Sequence, residues 1–84
     1  MLLTFGNKTQ KEILELVSLY GVNETKANKY KIWYIDTDVD SFNLHKSVVA
    51  WLYNNDYIEK KHIFRKHIKY VLTSRGLKLL RSEQ

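Results

Sequence analysis

The chain has no cysteine and no proline, and only three glycines in 84 residues. Without cysteine there can be no disulfide framework and no thiolate metal site, a composition that suits an intracellular protein. With no proline and so little glycine, no linker, repeat or low-complexity tract stands out. No apolar run is long enough to cross a bilayer. Met1-Leu2-Leu3-Thr4-Phe5 lacks the charged flank and long apolar segment of a signal peptide. These absences lead to the expectation of one domain over residues 1–84, cytoplasmic and without a membrane partner. Its core should be small, so pairing into a homodimer would help it.

Catalytic and metal-binding patterns are also missing. No Ser-His-Asp set, paired carboxylates or glycine-rich phosphate loop stands out, so no catalytic residue, enzyme activity or cofactor is expected. His62 and His67 are five apart and His45 is distant, too sparse a set for zinc. Asp36-Thr37-Asp38-Val39-Asp40 begins like a calcium-binding EF-hand loop. It then fails, with Ser41 where the sharp-turn glycine belongs and Ser47 where the bidentate glutamate belongs. No metal site is expected; the acidic loop should instead favour the N-terminal dipole of the helix that follows.

What is present is positive charge, unevenly placed. The net charge is +5. Residues 1–40 carry five lysines against six acids, a balance of −1. Residues 41–84 carry nine lysines and arginines against three acids, a balance of +6. A field concentrated on one half attracts a polyanion.

Local patterns place the elements. Thr9-Gln10-Lys11-Glu12 fits a capping box. Ile13, Leu16, Val17 and Tyr20 then recur at helical spacing, widened by Leu14, and Gly21 supplies a left-handed stop. Residues 22–29 are polar and carry no clear signal. Lys31-Ile32-Trp33-Tyr34-Ile35 concentrates β-branched and aromatic residues and reads as a strand, although residues 24–35 could instead form a helix. Asp36–Asp40 is a loop or a short return strand. Asp40, Ser41 or Asn43 is then available to cap a helix over Asn43–Asn55, whose apolar face is Leu44, Val48, Trp51 and Leu52. After the turn Asn54-Asn55-Asp56, residues Tyr57–His62 and His67–Thr73 form a basic hairpin around Phe64-Arg65-Lys66. Thr73 or Ser74 caps a closing helix, and Gly76 in its first turn allows close approach to the sheet. Trp33, Trp51, Tyr34 and Tyr57 are expected in the core rather than as stacking platforms for single strands.

The run Val48-Val49-Ala50-Trp51-Leu52-Tyr53-Asn54-Asn55-Asp56-Tyr57-Ile58-Glu59-Lys60-Lys61, followed by Tyr70-Val71-Leu72-Thr73-Ser74-Arg75-Gly76-Leu77-Lys78-Leu79-Leu80, resembles the winged-helix DNA-binding domain of small transcription regulators. The resemblance implies an α+β fold with helices packed on a small antiparallel hairpin, the wing. The family places a second helix before the one at 43–55, and Gly21 to Ser41 leaves it little room. The implied function is binding of double-stranded DNA by a transcriptional regulator, and the abundance of Lys, Asn, Ile and Tyr suggests an AT-rich genome, as in a virus or phage. Lys60, Lys61, Arg65, Lys66 and Lys69 of the wing would contact phosphates, and Asn43, His45 and Lys46 of the helix would face base edges. Leu14, Leu19, Leu77 and Leu80 are the expected dimer interface. A protein-interaction module of the same fold is the alternative, because fold alone does not fix function.

Overall fold

The computed structural model describes residues 4–5 and 8–82. A two-residue ribbon, β1 (Thr4–Phe5) with β2 (Lys8–Thr9), leads into helix α1 (Gln10–Tyr20). Three strands follow in succession: β3 (Val22–Ala27), β4 (Tyr30–Asp36) and β5 (Ser41–Leu44). Helix α2 (Lys46–Asn54) precedes the hairpin β6 (Ile58–Phe64) and β7 (His67–Leu72), and α3 (Ser74–Ser82) closes the chain. All five long strands join one antiparallel sheet in the order β5-β4-β3-β7-β6. The fold is therefore α+β. No described helix is long and apolar enough to cross a membrane.

The capping box at the start of α1 forms as the spacing requires. Glu12 N donates to Thr9 Oγ1 at 3.2 Å, and Thr9 N donates to Glu12 Oε1 at 3.4 Å. At the other end Gly21 takes φ 76° and its N–H donates to Val17 O. A Cβ on Gly21 would lie 2.7 Å from the Tyr70 carbonyl oxygen, so glycine is required twice here, for its φ and for its small size. Gly76 in α3 is required for its size alone: a Cβ there would come within 2.6 Å of both Leu72 Cδ1 and Tyr57 O. Thr73 caps α3, accepting at Oγ1 from Gly76 N at 3.1 Å.

Side chains alternate across the sheet, and one parity of each strand supplies the core. Val22, Ile35, Leu44, Ile58 and Tyr70 are buried on one face. Ile13, Leu14 and Val17 of α1, Val48, Val49 and Leu52 of α2, and Leu80 of α3 complete the same cluster. Each large apolar side chain buried in it contributes roughly 1.5–3 kcal/mol. Trp51 packs edge-on to Tyr57 with ring centres 5.3 Å apart, at the margin of this core.

Several expectations need correction. The polar stretch 22–29 contains β3, which is the central strand of the sheet. For residues 31–35 the strand alternative holds, within β4. The helix expected over Asn43–Asn55 spans only Lys46–Asn54. Phe42 pairs with Ile35, Asn43 with Tyr34 and Leu44 with Trp33, so the sheet claims residues that would otherwise begin the helix. This inserted strand also keeps Asp40, Ser41 and Asn43 from capping α2. His45 caps it instead, its Nδ1 accepting from Ser47 N at 3.1 Å. Asp40 holds its own loop together, its Oδ1 accepting a hydrogen bond from the Thr37 hydroxyl at 2.8 Å. The basic hairpin does not stand alone: β7 pairs with β3 as well as β6.

Candidate nucleic-acid interface

Two hairpins lie side by side in the sheet and run the same way. The turn of the first is Asn28-Lys29 and that of the second is Arg65-Lys66. Asn28 and Arg65, the first residues of the two turns, both adopt left-handed backbone, at φ 57° and 55°. Thr25 is the register partner of His67, and Lys26 N donates to Lys66 O at 3.3 Å, so the tips are adjacent. The two hairpins pool Lys26, Lys29 and Lys31 with Lys60, Lys61, Arg65 and Lys66, and all seven side chains are exposed. They are half of the 14 lysines and arginines in the chain. No acid lies within residues 26–31 or 60–66; farther along these strands Glu24 is buried, while Asp36 and Glu59 are exposed.

The opposite end of the sheet has the opposite sign. Asp36, Asp38 and Asp40 lie at and beyond the far end of β4, about 20 Å from the basic tips along a strand of this length. Sequence halves therefore understate the asymmetry. The first 40 residues sum to −1, yet their cations at 26, 29 and 31 lie at the turn end of the β3–β4 hairpin and their acids at 36, 38 and 40 at and beyond the far end of β4.

The tip is also apolar. Phe64 and Ile63 are 69% and 67% exposed, and Tyr30 on the neighbouring hairpin is 75% exposed. The Arg65 guanidinium lies 5.4 Å from the centre of the Phe64 ring. A bulge interrupts the register between Lys60 and His62, leaving Lys61 as the extra residue. Beyond it His62 opposes Lys69 and Phe64 opposes His67, while Ile63 opposes Ile68. Simple alternation from Ile58 breaks at that point.

The hairpins are joined by polar contacts that β3 provides. On the face away from the helices, His67 Nε2 meets Asn23 Oδ1 at 3.2 Å and His67 Nδ1 meets Thr25 Oγ1 at 3.2 Å. The Tyr34 hydroxyl lies 3.4 Å from Thr25 Oγ1, and its ring stands edge-on to His67. On the helix face Glu24 Oε1 accepts from Trp33 Nε1 at 2.7 Å and from Tyr70 OH at 3.0 Å. Burial, with the hydrogen bond and negative charge of Glu24 added to it, pushes the Tyr70 hydroxyl up to about 12. A central strand with buried Asn23 and Glu24 is tolerated because both side chains have hydrogen-bond partners, and no buried side-chain nitrogen or oxygen among the described residues is left unpaired.

The sequence-derived site residues divide accordingly. Arg65 and Lys66 belong to the basic end; Lys60 lies farther down β6, opposite Tyr70, with Lys61 in the bulge next to it. Lys69 is half-buried on the outer face, with Asn23 and His62 as its register partners on either side. Asn43, His45 and Lys46 do not share a helical face. Asn43 is on β5 opposite Tyr34, His45 is occupied as a cap, and Lys46 opens α2. Lys46 instead lines a cleft that it shares with Lys31 and Lys60. Of the expected dimer residues, Leu14 and Leu80 are core, at 0% and 5% exposure, because α1 and α3 pack on each other and on β7. Leu19 (72% exposed) and Leu77 (36%) remain at the surface, both lining a groove between α1 and α3.

Sequence reasoning missed Lys26, Lys29 and Lys31. A weak signal existed: Asn28 is a residue type that tolerates the left-handed backbone of a two-residue hairpin turn, two residues ahead of the β-branched and aromatic run of β4. Among the described residues no cluster of three or more metal-ligating side chains occurs. Comparison with known families, with curated proteins and with solved structures finds no match.

Proposed function

We propose that this protein binds double-stranded DNA through the basic end of its sheet, as a small transcriptional regulator. The observation that carries the reading is the pooling of seven exposed cations on two adjacent hairpins, five of them (Lys26, Lys29, Lys31, Arg65 and Lys66) at or near the tips. Lysines and arginines at this density neutralise phosphates and release condensed counterions. Hairpin β6–β7 would act as a wing of winged-helix type, widened by β3–β4. The Phe64–Arg65 tip has the chemistry of a minor-groove wedge, an apolar ring beside a guanidinium. The acidic loop at the far end orients the molecule by repelling the same duplex. Lys46 is the one member of the expected base-reading set whose side chain lies on the cationic side of the molecule. Two copies would pair through Leu19 and Leu77, with Leu14 and Leu80 confined to each core.

Sedimentation of the full chain with a random-sequence duplex, at low and at physiological salt, tests both parts. The expected outcome is duplex binding that weakens steeply with salt, by a complex containing two protein copies. No duplex binding at either salt would reject the DNA reading and favour a protein partner for the exposed Ile63 and Phe64. A complex with a single copy would reject the pairing alone.

A further inference from the structure

We propose that the cleft between α2 and the sheet is a binding site for one nucleotide, either free or as an unpaired nucleotide of a strand. The cleft has a volume of about 310 Å³. That is the small end of the range for ligand sites. It is far too narrow for a duplex, so this ligand is distinct from the one that the hairpin tips would hold.

Three kinds of group converge there. The first is aromatic. Trp33 and Tyr70 come from the sheet and Tyr53 from α2. The Tyr53 and Tyr70 rings meet edge to face at 88° with centres 6.0 Å apart, and Tyr70 is buried, so Tyr53 and Trp33 are the rings that can face a ligand. Flat rings in such a wall accept a nucleobase by stacking. The second is a buried acceptor. Glu24 lines the cleft, and its two internal donors, Trp33 Nε1 and Tyr70 OH, both bond Oε1. Neither bonds Oε2. A carboxylate oxygen beside a stacked base accepts an amino or imino N–H, a donor that guanine, adenine and cytosine possess and a bare phosphate lacks. The third is cationic. Lys31, Lys46 and Lys60, from three different elements, line the same cleft. Among the described residues the one ion pair is Lys11–Glu15, so none of these three is held in an ion pair, although the Glu24 carboxylate shares their cleft. Ammonium groups placed so bind phosphate as point charges.

An aromatic wall, a buried acceptor and a ring of ammonium groups match base and phosphate in one molecule. Lys31 and Lys60 also belong to the two hairpins. A nucleotide held by them weakens duplex binding, and by linkage the duplex weakens nucleotide binding to the same degree. The site itself does not depend on the duplex reading, because the proposed test contains no duplex.

The Trp33 indole N–H, bonded to Glu24 at the base of the cleft, is a direct reporter. Its proton resonance in the full chain, assigned with a Trp33→Phe variant, is followed during titration with guanosine monophosphate, adenosine monophosphate, a short single-stranded oligonucleotide and inorganic phosphate. The proposal expects a saturable shift with a nucleotide ligand and little with phosphate. Tyr53→Ala and Lys46→Ala, both at exposed positions, should each weaken that binding at least tenfold. A shift with free monophosphates identifies a free nucleotide; a shift with the oligonucleotide alone identifies an unpaired nucleotide of a strand. The proposal is overturned if no nucleotide moves the resonance, if phosphate alone gives the same shift, or if both variants bind as the parent does.

Discussion

The two hairpins of the sheet are near copies in geometry and opposites in legibility. Each has a two-residue turn opened by a left-handed residue, and each carries cations to the same end. Hairpin β6–β7 announces itself, because Ile58, Ile68, Tyr70 and Leu72 alternate with charge and a strong turn precedes it. Hairpin β3–β4 is only half visible: β4 has its aromatic and branched run, but β3 reads Val-Asn-Glu-Thr-Lys-Ala. Yet β3 is the strand that both hairpins share. The difference teaches that a strand's place in a sheet follows from where its polar groups find partners, as well as from its own hydrophobicity.

The sharpest way to break the pairing of the hairpins is at Gly21, which leads into β3 against the Tyr70 carbonyl. Gly21→Ala combines a backbone φ of 76° with a 2.7 Å clash. It should cost about 3 kcal/mol of stability in denaturant unfolding. A variant as stable as the parent would mean that the hairpins are not clamped at this point.

A second set of substitutions weighs the hairpins against each other in DNA binding. Lys26→Ala, Lys29→Ala and Lys31→Ala together should weaken duplex binding on the order of 10- to 100-fold near 0.1 M salt, and flatten the salt dependence by up to about three counterions. Lys61→Ala, Arg65→Ala and Lys66→Ala together should do the same. Fluorescence anisotropy across a salt series measures both triples. Loss confined to the second triple would restore a lone wing and dissolve the pooled surface.

The third concerns the bond that ties β7 to β3 beneath the helices. Tyr70 has a folded-state value raised from 10.0 to about 12. Its contribution to stability is therefore fully present below pH 10 and is lost as pH rises through about 12, with the neutral hydroxyl the favoured form in the fold. The loss is on the order of 2 kcal/mol. Tyr70→Phe should be less stable than the parent at neutral pH, with the gap closing over that alkaline window. Parallel stability curves for the two proteins from pH 9 to 12 would show that the Tyr70–Glu24 bond does not hold the strands.

Local chemistry settled a good deal from sequence alone. The Thr9–Glu12 box, the Gly21 stop, the Thr73 cap, the close approach at Gly76 and the basic hairpin each depend on residues near one another in the chain. The α+β class follows from them. Helix α2 shows the limit. Its apolar face is correct for Val48, Trp51 and Leu52, but its start was misplaced, because residues 42–44 obey a pairing with β4 that no local signal reports. Leu14 and Leu80 were likewise assigned to an interface because their partners lie on other elements.

The positive charge, the absence of disulfides and the helix and hairpin signals were written in the amino-acid order. That Lys26, Lys29 and Lys31 would join the wing, and that Glu24 would find Trp33 and Tyr70, was decided by the tertiary structure. The reason is physical: charge summed along a chain ignores direction, whereas antiparallel strands fold residues 26–31 and 64–67 to one end and residues 36–40 to the other.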